Sequence, residues 1–286
     1  MKTKIEIRPV IPFTRITFIL AALLAAIAGI QLYILTDNTE HFFAWTIDAP
    51  LSATFLGSGY WTGVSLLLFS TTQRAWANIR IAIAAVTTFV PLMLITTLLH
   101  LDKFHFTSND TNAVVAAWAW MIVYVAVPFL LIAILLFQLR TPGGDPPQEA
   151  PLPLWLRFLL GVNALIALFV GLLLFVTPEV LFLFWPWQLT PLTAQAIGSG
   201  FLSLCVASTQ FIRENSWSRG RVGTVSYLLI GLLQLIAIAR YSDTFLWSRI
   251  GAWLYLLYML AIFGGGIYST IAAWSQKATI SVSARS

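Results

Sequence analysis

Three histidines, His41, His100 and His105, fall in segments that also hold Asp37, Glu40, Asp48, Asp102 and Asp110. Several transition metals accept such a mixture of imidazole and carboxylate, and His100, Asp102 and His105 are close in sequence. The spacing nevertheless fits no zinc signature such as HExxH, in which two histidines one helical turn apart share a face. The reading is therefore three ordinary interfacial histidines, with no metal and no cofactor. Other chemistry is sparse. Cys205 is the only cysteine and sits in an apolar run, where a thiol acts as a small hydrophobe. There is no phosphate-binding Gly-rich loop with Lys and Ser/Thr, no CxxCH haem attachment, and no stretch large enough for a separate soluble active-site domain.

The elements that must position these residues belong to a bilayer. Of the 286 residues 59% are hydrophobic and only 9% charged, against about 25% charged in a water-soluble domain; mean hydropathy is +0.85. Apolar runs of about 20 residues, long enough for a hydrocarbon core roughly 30 Å thick, recur throughout. They predict an all-α integral membrane protein with eight transmembrane helices, over residues 16–36, 50–70, 80–99, 113–138, 156–177, 191–211, 222–239 and 250–272. No Asp, Glu, Lys or Arg lies near the middle of any span, where proton relays and ion-coupled transporters usually place one. The first run follows Lys2, Lys4, Arg8 and Arg15 like a signal peptide, but it continues through Leu35 and is expected to be retained.

Orientation follows from the basic residues. With both termini cytoplasmic, the inner segments hold Lys2, Lys4, Arg8, Arg15, Arg74, Arg80, Arg140, Arg157, Arg213, Arg219, Arg221, Lys277 and Arg285, and the outer ones only Lys103, Arg240 and Arg249. Thirteen against three is a strong positive-inside bias. It accounts for the pI of about 9.6 without nucleic acid. The expected location is a cell membrane.

The chain also resembles itself. A 141-residue offset pairs Phe43 with Phe184, Pro50 with Pro191, Gly57-Ser58-Gly59 with Gly198-Ser199-Gly200, Trp76 with Trp217, Arg80 with Arg221, and Asp102 with Asp243. The register is gapless from about residue 43 to 104 and extends with small gaps to Arg15 and Gly29 (Arg157 and Gly171) and to Ala117-Trp118 (Ala252-Trp253). It gives two four-helix repeats, 1–140 and 154–286, joined by a Pro/Gly-rich cytoplasmic linker, 141–153. Four spans per unit is an even number, so the repeats are parallel, unlike the inverted repeats of many transporters. At the positions matching His41, His100 and His105 stand Phe182, Tyr241 and Leu246, which counts against a metal centre.

The segments 43–53 and 185–194 resemble those of uncharacterised bacterial multi-pass membrane proteins. Each half is also faintly similar to the four-helix unit of DoxX-like membrane proteins, seen in the second half as Gly161 and Gly171 in one helix, Pro178 after it, and Gly198 in the next. The resemblance implies the four-helix membrane fold and transfers no catalytic residue.

Pro50 and Pro191 read as first helical residues, with Thr190 as an N-cap. The aromatic loops before them, with Phe42, Phe43 and Trp45 and with Phe182, Phe184, Trp185 and Trp187, read as an interfacial belt, and Trp76 and Trp217 as boundary anchors. Small residues let helices approach closely or leave room for a ligand. A cavity lined by the second, third, sixth and seventh spans is expected, with Gly57, Gly59, Gly198 and Gly200 leaving space and Gln234 supplying a polar handle. The function expected is binding of a hydrophobic or amphipathic small molecule or a membrane protein partner, with the lipid bilayer as surroundings. A transporter with a cleft between the repeats, and a membrane enzyme using the outer His and Asp residues, are the alternatives.

Overall fold

The computed structural model describes residues 6–148 and 151–283, with side chains to residue 275. Lys2, Lys4 and Arg285 of the charge count, and residues 149 and 150 of the linker, lie outside the described residues. Eight long helices carry the chain: α1 Pro12–Gly29, α2 Pro50–Thr71, α3 Arg80–Leu99, α4 Thr111–Arg140, α5 Leu154–Val176, α6 Pro191–Glu214, α7 Trp217–Arg240 and α8 Ile250–Ser283. Among the described residues β-structure is limited to isolated bridges such as Trp45 with Phe104.

Seven of these helices are long and apolar enough to cross a membrane, which makes this a multi-pass membrane protein in which helices satisfy their own backbone groups. α2 has the length, 22 residues, but Ser52, Thr54, Ser58, Thr62 and Ser65 with three glycines keep it outside that set. Burial explains the composition. Every residue from Leu51 to Ser58 is buried among neighbouring helices, so this part of the helix faces protein rather than lipid. The lipid-facing shell is drawn from others: Phe158, Leu165 and Phe169 on α5 are each about two-thirds exposed, as is Phe129 on α4.

Helix starts follow local chemistry. Asp110 caps α4 by accepting from the Asn112 and Ala113 amides. Thr190 and Thr193 form a reciprocal capping box before α6, with Pro191 at the first turn, where its missing N–H costs nothing. α6 ends on Asn215 in the left-handed region, φ 42°, a conformation Asn tolerates.

The two halves pack in matching ways. α1 lies along α2 and α5 along α6, while α2 pairs with α7 and α3 with α6 across the middle. The Gln234 amide donates to the Phe55 carbonyl and the Ser58 hydroxyl on α2, and the Tyr255 hydroxyl donates to Gln234. On the other seam Ser203 donates to the Ala85 carbonyl, 2.9 Å, and His100 pairs with Gln195, 3.0 Å.

The aromatic loops correct their expected role as a belt. Phe43, Trp45, Trp185 and Trp187 are buried, and only Phe42 and Phe184 among the loop aromatics are substantially exposed. Trp45 packs on Phe104 and Trp120, and Trp187 on Phe245 and Tyr255, and the Trp187 indole donates to Ser52 at the start of α2, 2.8 Å, so the two indoles plug the same end of the bundle. Trp187 is buried as Trp45 is, although the 141-residue offset sets Trp45 against Pro186. Trp76 and Trp217 are likewise core residues, 5% and 2% exposed, rather than surface anchors. At the Arg-rich end, Glu214 is buried between Arg80 (2.8 Å) and Arg219 (3.0 Å), and Arg80 also reaches Asp145 of the linker, 2.6 Å. Gln148 and Leu152 bond the backbone and side chain at 214–215, pinning the linker to the second half.

Candidate binding site

The packing of the two halves diverges in one place. α7 and α8 run in close contact, because Gly231 faces the Phe263 backbone and Gly266 the Leu228 backbone; an added Cβ at Gly231 would lie 2.7 Å from Phe263 Cα. The positions matching these glycines in α3 and α4 are Val90 and Leu131, and both helices carry an interior proline, Pro91 and Pro128. α3 and α4 touch far less. A cavity of about 430 Å3 opens there, within the range of small-molecule sites.

The cavity extends from Gln31 near one end of α1 to Ile81 at the Arg-rich end of α3. α1, α2, α3 and α4 form most of it, and α6, α7 and α8 supply the far wall through residues such as Phe201, Leu204 and Met259. Leu24 and Ile27 line it while remaining 44% and 54% exposed, so α1 meets both cavity and lipid. α1 and α4 contact one another only slightly, which leaves the cavity's side without a tightly packed helix seam.

Its wall is apolar with a few hydroxyls and one amide. Among the described residues no Asp, Glu, Lys, Arg or His contributes to it. Tyr60 on α2 and Tyr124 on α4 join hydroxyl to hydroxyl at 2.6 Å, with Trp120 beside both rings, 6.2 and 4.4 Å between centroids. The Trp120 indole N–H is committed to Thr97, 3.0 Å. Gln31 lies in a π-helical turn, Ile30–Ile34, a geometry often found at functional sites.

No family model, curated protein or solved structure matches this chain. The geometry alone therefore carries the assignment.

The corresponding region of the second half is filled. Asn163 donates to Ser208 at 2.8 Å, Ser208 pairs with the Tyr227 hydroxyl at 2.6 Å, and Tyr258 donates to the Asn163 carbonyl oxygen at 2.8 Å. In the sequence register these four match Ala21, Leu67, Val86 and Val123, all of which line the cavity. One half packs polar side chains where the other leaves space.

Of the residues singled out from sequence, Gly59 and Gly200 line the cavity, and a Cβ at Gly59 would meet nothing within 4 Å. Gly57 and Gly198 do not line it. They are close helix contacts, against the Tyr33 and Phe175 backbones respectively. Gln234 is buried in the α2–α7 seam with its amide fully engaged, and serves the joint between the halves. The cavity includes the expected spans and adds α1, α4 and α8. Gln31, Tyr60, Trp120 and Tyr124 were not singled out; the available signal was that Tyr60 and Tyr124 match Phe201 and Met259, a polar pair in one half only.

The three histidines sit apart. His41 bonds Asp110 at 2.8 Å, His105 bonds Thr46 and the Phe43 carbonyl, each at 3.0 Å, and His100 bonds Gln195. Among the described residues no group of three His, Cys, Asp or Glu could hold a metal ion. The hydrogen bond that His41 donates to the Asp110 carboxylate raises the His41 pKa and lowers that of Asp110.

Proposed function

We propose that this protein binds a neutral, hydrophobic to amphipathic small molecule that reaches it from the bilayer, passing between α1 and α4. The observation that carries the reading is the 430 Å3 cavity, lined by no charged side chain among the described residues, which α1 to α4 wall for the most part and α6, α7 and α8 close on the far side. Apolar sites of this size with few polar groups are the usual form of small-molecule pockets. We further propose eight spans arranged as two parallel four-helix units, with the Arg-rich end and both termini cytoplasmic. The paired seams α2–α7 and α3–α6, and the paired indole plugs, support the repeat. Arg8, Arg74, Arg80 and Arg219 gathered at one end support the orientation.

An adamantyl diazirine, a small apolar photolabel, tests the binding reading on the full chain in phosphatidylcholine nanodiscs. Labelling is expected on the cavity faces of α2 and α4 and to fall several-fold in Gly59→Leu/Gly63→Leu. Both glycines have open space where a Cβ would go, so the added side chains fill the cavity without a backbone clash. Labelling of the lipid-facing α5 should not change and serves as the internal control. Equal cavity labelling in both proteins would sink the reading.

A further inference from the structure

We propose that the occupant of this cavity carries a hydrogen-bond-accepting oxygen, a ketone or quinone-type carbonyl rather than a carboxylate or phosphate, which is held by the hydroxyl pair of Tyr60 and Tyr124. The inference rests on the binding reading above and adds the chemistry of the ligand.

Each tyrosine hydroxyl has one O–H to donate and lone pairs to accept. The two oxygens are 2.6 Å apart, and whichever hydroxyl donates, the other keeps a hydrogen with no partner among the described residues. Neither ring makes a second polar contact: Trp120 gives its N–H to Thr97, and the Thr62 hydroxyl donates to the Ser58 carbonyl. The pair lies in a wall that is otherwise largely hydrocarbon, where an unmade hydrogen bond is most costly. A hydroxyl that already accepts one hydrogen bond is polarised, and so donates the next more strongly. The complement of a lone donor is an acceptor, and a carbonyl oxygen is the common neutral one that carries no proton of its own.

Charge excludes the competing classes. A carboxylate or phosphate inside the cavity would meet no Lys, Arg or His, and a buried unpaired charge is strongly disfavoured. Gln31, whose amide likewise has no partner among the described residues, offers a second polar contact on the same cavity wall.

Benzophenone and diphenylmethane separate the terms, since they share a skeleton and differ only in C=O against CH2. Benzophenone also inserts into nearby C–H bonds on irradiation, so its position can be read by peptide mapping. With the full chain in phosphatidylcholine nanodiscs, benzophenone should label residues of α2, α3 or α4 at the cavity, and diphenylmethane should compete at least five-fold less well than unlabelled benzophenone. Tyr60→Phe and Tyr124→Phe alone should each retain most labelling, because each leaves one free O–H. The double variant, with both rings kept, should lose at least five-fold and no longer distinguish the two competitors. Equal competition in the unmodified chain, or unchanged labelling in the double variant, would overturn the carbonyl assignment while leaving cavity binding in place. Absence of any cavity labelling by benzophenone and by the apolar diazirine would overturn both. If the pair had only a structural role, either single variant would lose labelling as fully as the double, which also counts against the proposal.

Discussion

The two halves of this bundle use corresponding helices to opposite ends. In the second half Gly231 and Gly266 draw α7 and α8 together, and Asn163, Ser208, Tyr227 and Tyr258 fill the adjoining space with mutual hydrogen bonds. In the first half Val90 and Leu131 hold α3 and α4 apart, and small or apolar residues at the four matched positions leave the space open. A packed half braces a hollow one. The difference teaches that in a helical membrane protein the residues at a helix seam can decide whether space is left beside it. Without a hydrophobic drive between helices in lipid, approach distance is set largely by residue size at the seam.

The sharpest way to break the comparison is at the Arg-rich end. Glu214, 5% exposed, neutralises Arg80 and Arg219, whereas the matched residue of the first half is Gln73, which bonds a nearby carbonyl at the surface. Glu214→Ala leaves Arg219, 12% exposed, without its close carboxylate while Arg80 keeps Asp145, so stability should fall by about 3 kcal/mol, the low end for a broken buried ion pair. Gln73→Ala should change it by no more than about 0.5 kcal/mol, as for surface positions generally. Unfolding in mixed micelles by SDS titration measures both, and similar values would remove the ionic asymmetry.

A smaller effect is expected at the helix seam. Gly231→Val gives the second half the residue of the first and forces a side chain into the Phe263 backbone. Overpacking of this kind costs about 1–3 kcal/mol. The same titration should show that loss, and benzophenone labelling of α7 and α8, which already border the cavity, should spread to residues around Gly231 and Phe263 if separation of the helices is what makes a cavity. A neutral substitution with no new labelling would show that the glycines do not set the spacing.

The smallest effect concerns His41 and Asp110, which join the loop after α1 to the start of α4 at an exposed site with no counterpart in the second half, where Phe182 matches His41. The Asp110 hydrogen bond raises the His41 pKa, so this contribution is complete below the unfolded value, about 6.5, and fades as pH rises through the folded one. The His41 bond lowers the Asp110 pKa, so that contribution is complete above the unfolded value, about 3.9, and fades as pH falls through the folded one. The unfolding midpoints of the unmodified chain and His41→Gln should therefore differ most between about pH 4 and 6.5 and converge at either extreme. A constant difference across pH would show that the ion pair is not its source.

Much of the architecture was legible in the chain because the bilayer restricts the choices. Runs of apolar residues long enough to span, with no charge at mid-depth, admit only helices, and Pro50, Pro191 and Thr190 mark helix starts where they were expected. The matched positions were legible too. What each glycine does was not, because Gly57 and Gly59 differ by about 200° around the helix axis, so one meets a neighbouring backbone and the other open space. The buried indoles were misread because an aromatic residue beside a span suits either the headgroup layer or the end of a bundle, and loop geometry decides between them. Composition and periodicity determined the membrane, the helices and where they begin. Only the tertiary structure decided which helices touch, and hence that the first half encloses a space and Tyr60 meets Tyr124 across it, because the gap depends on side chains facing one another from helices distant in sequence.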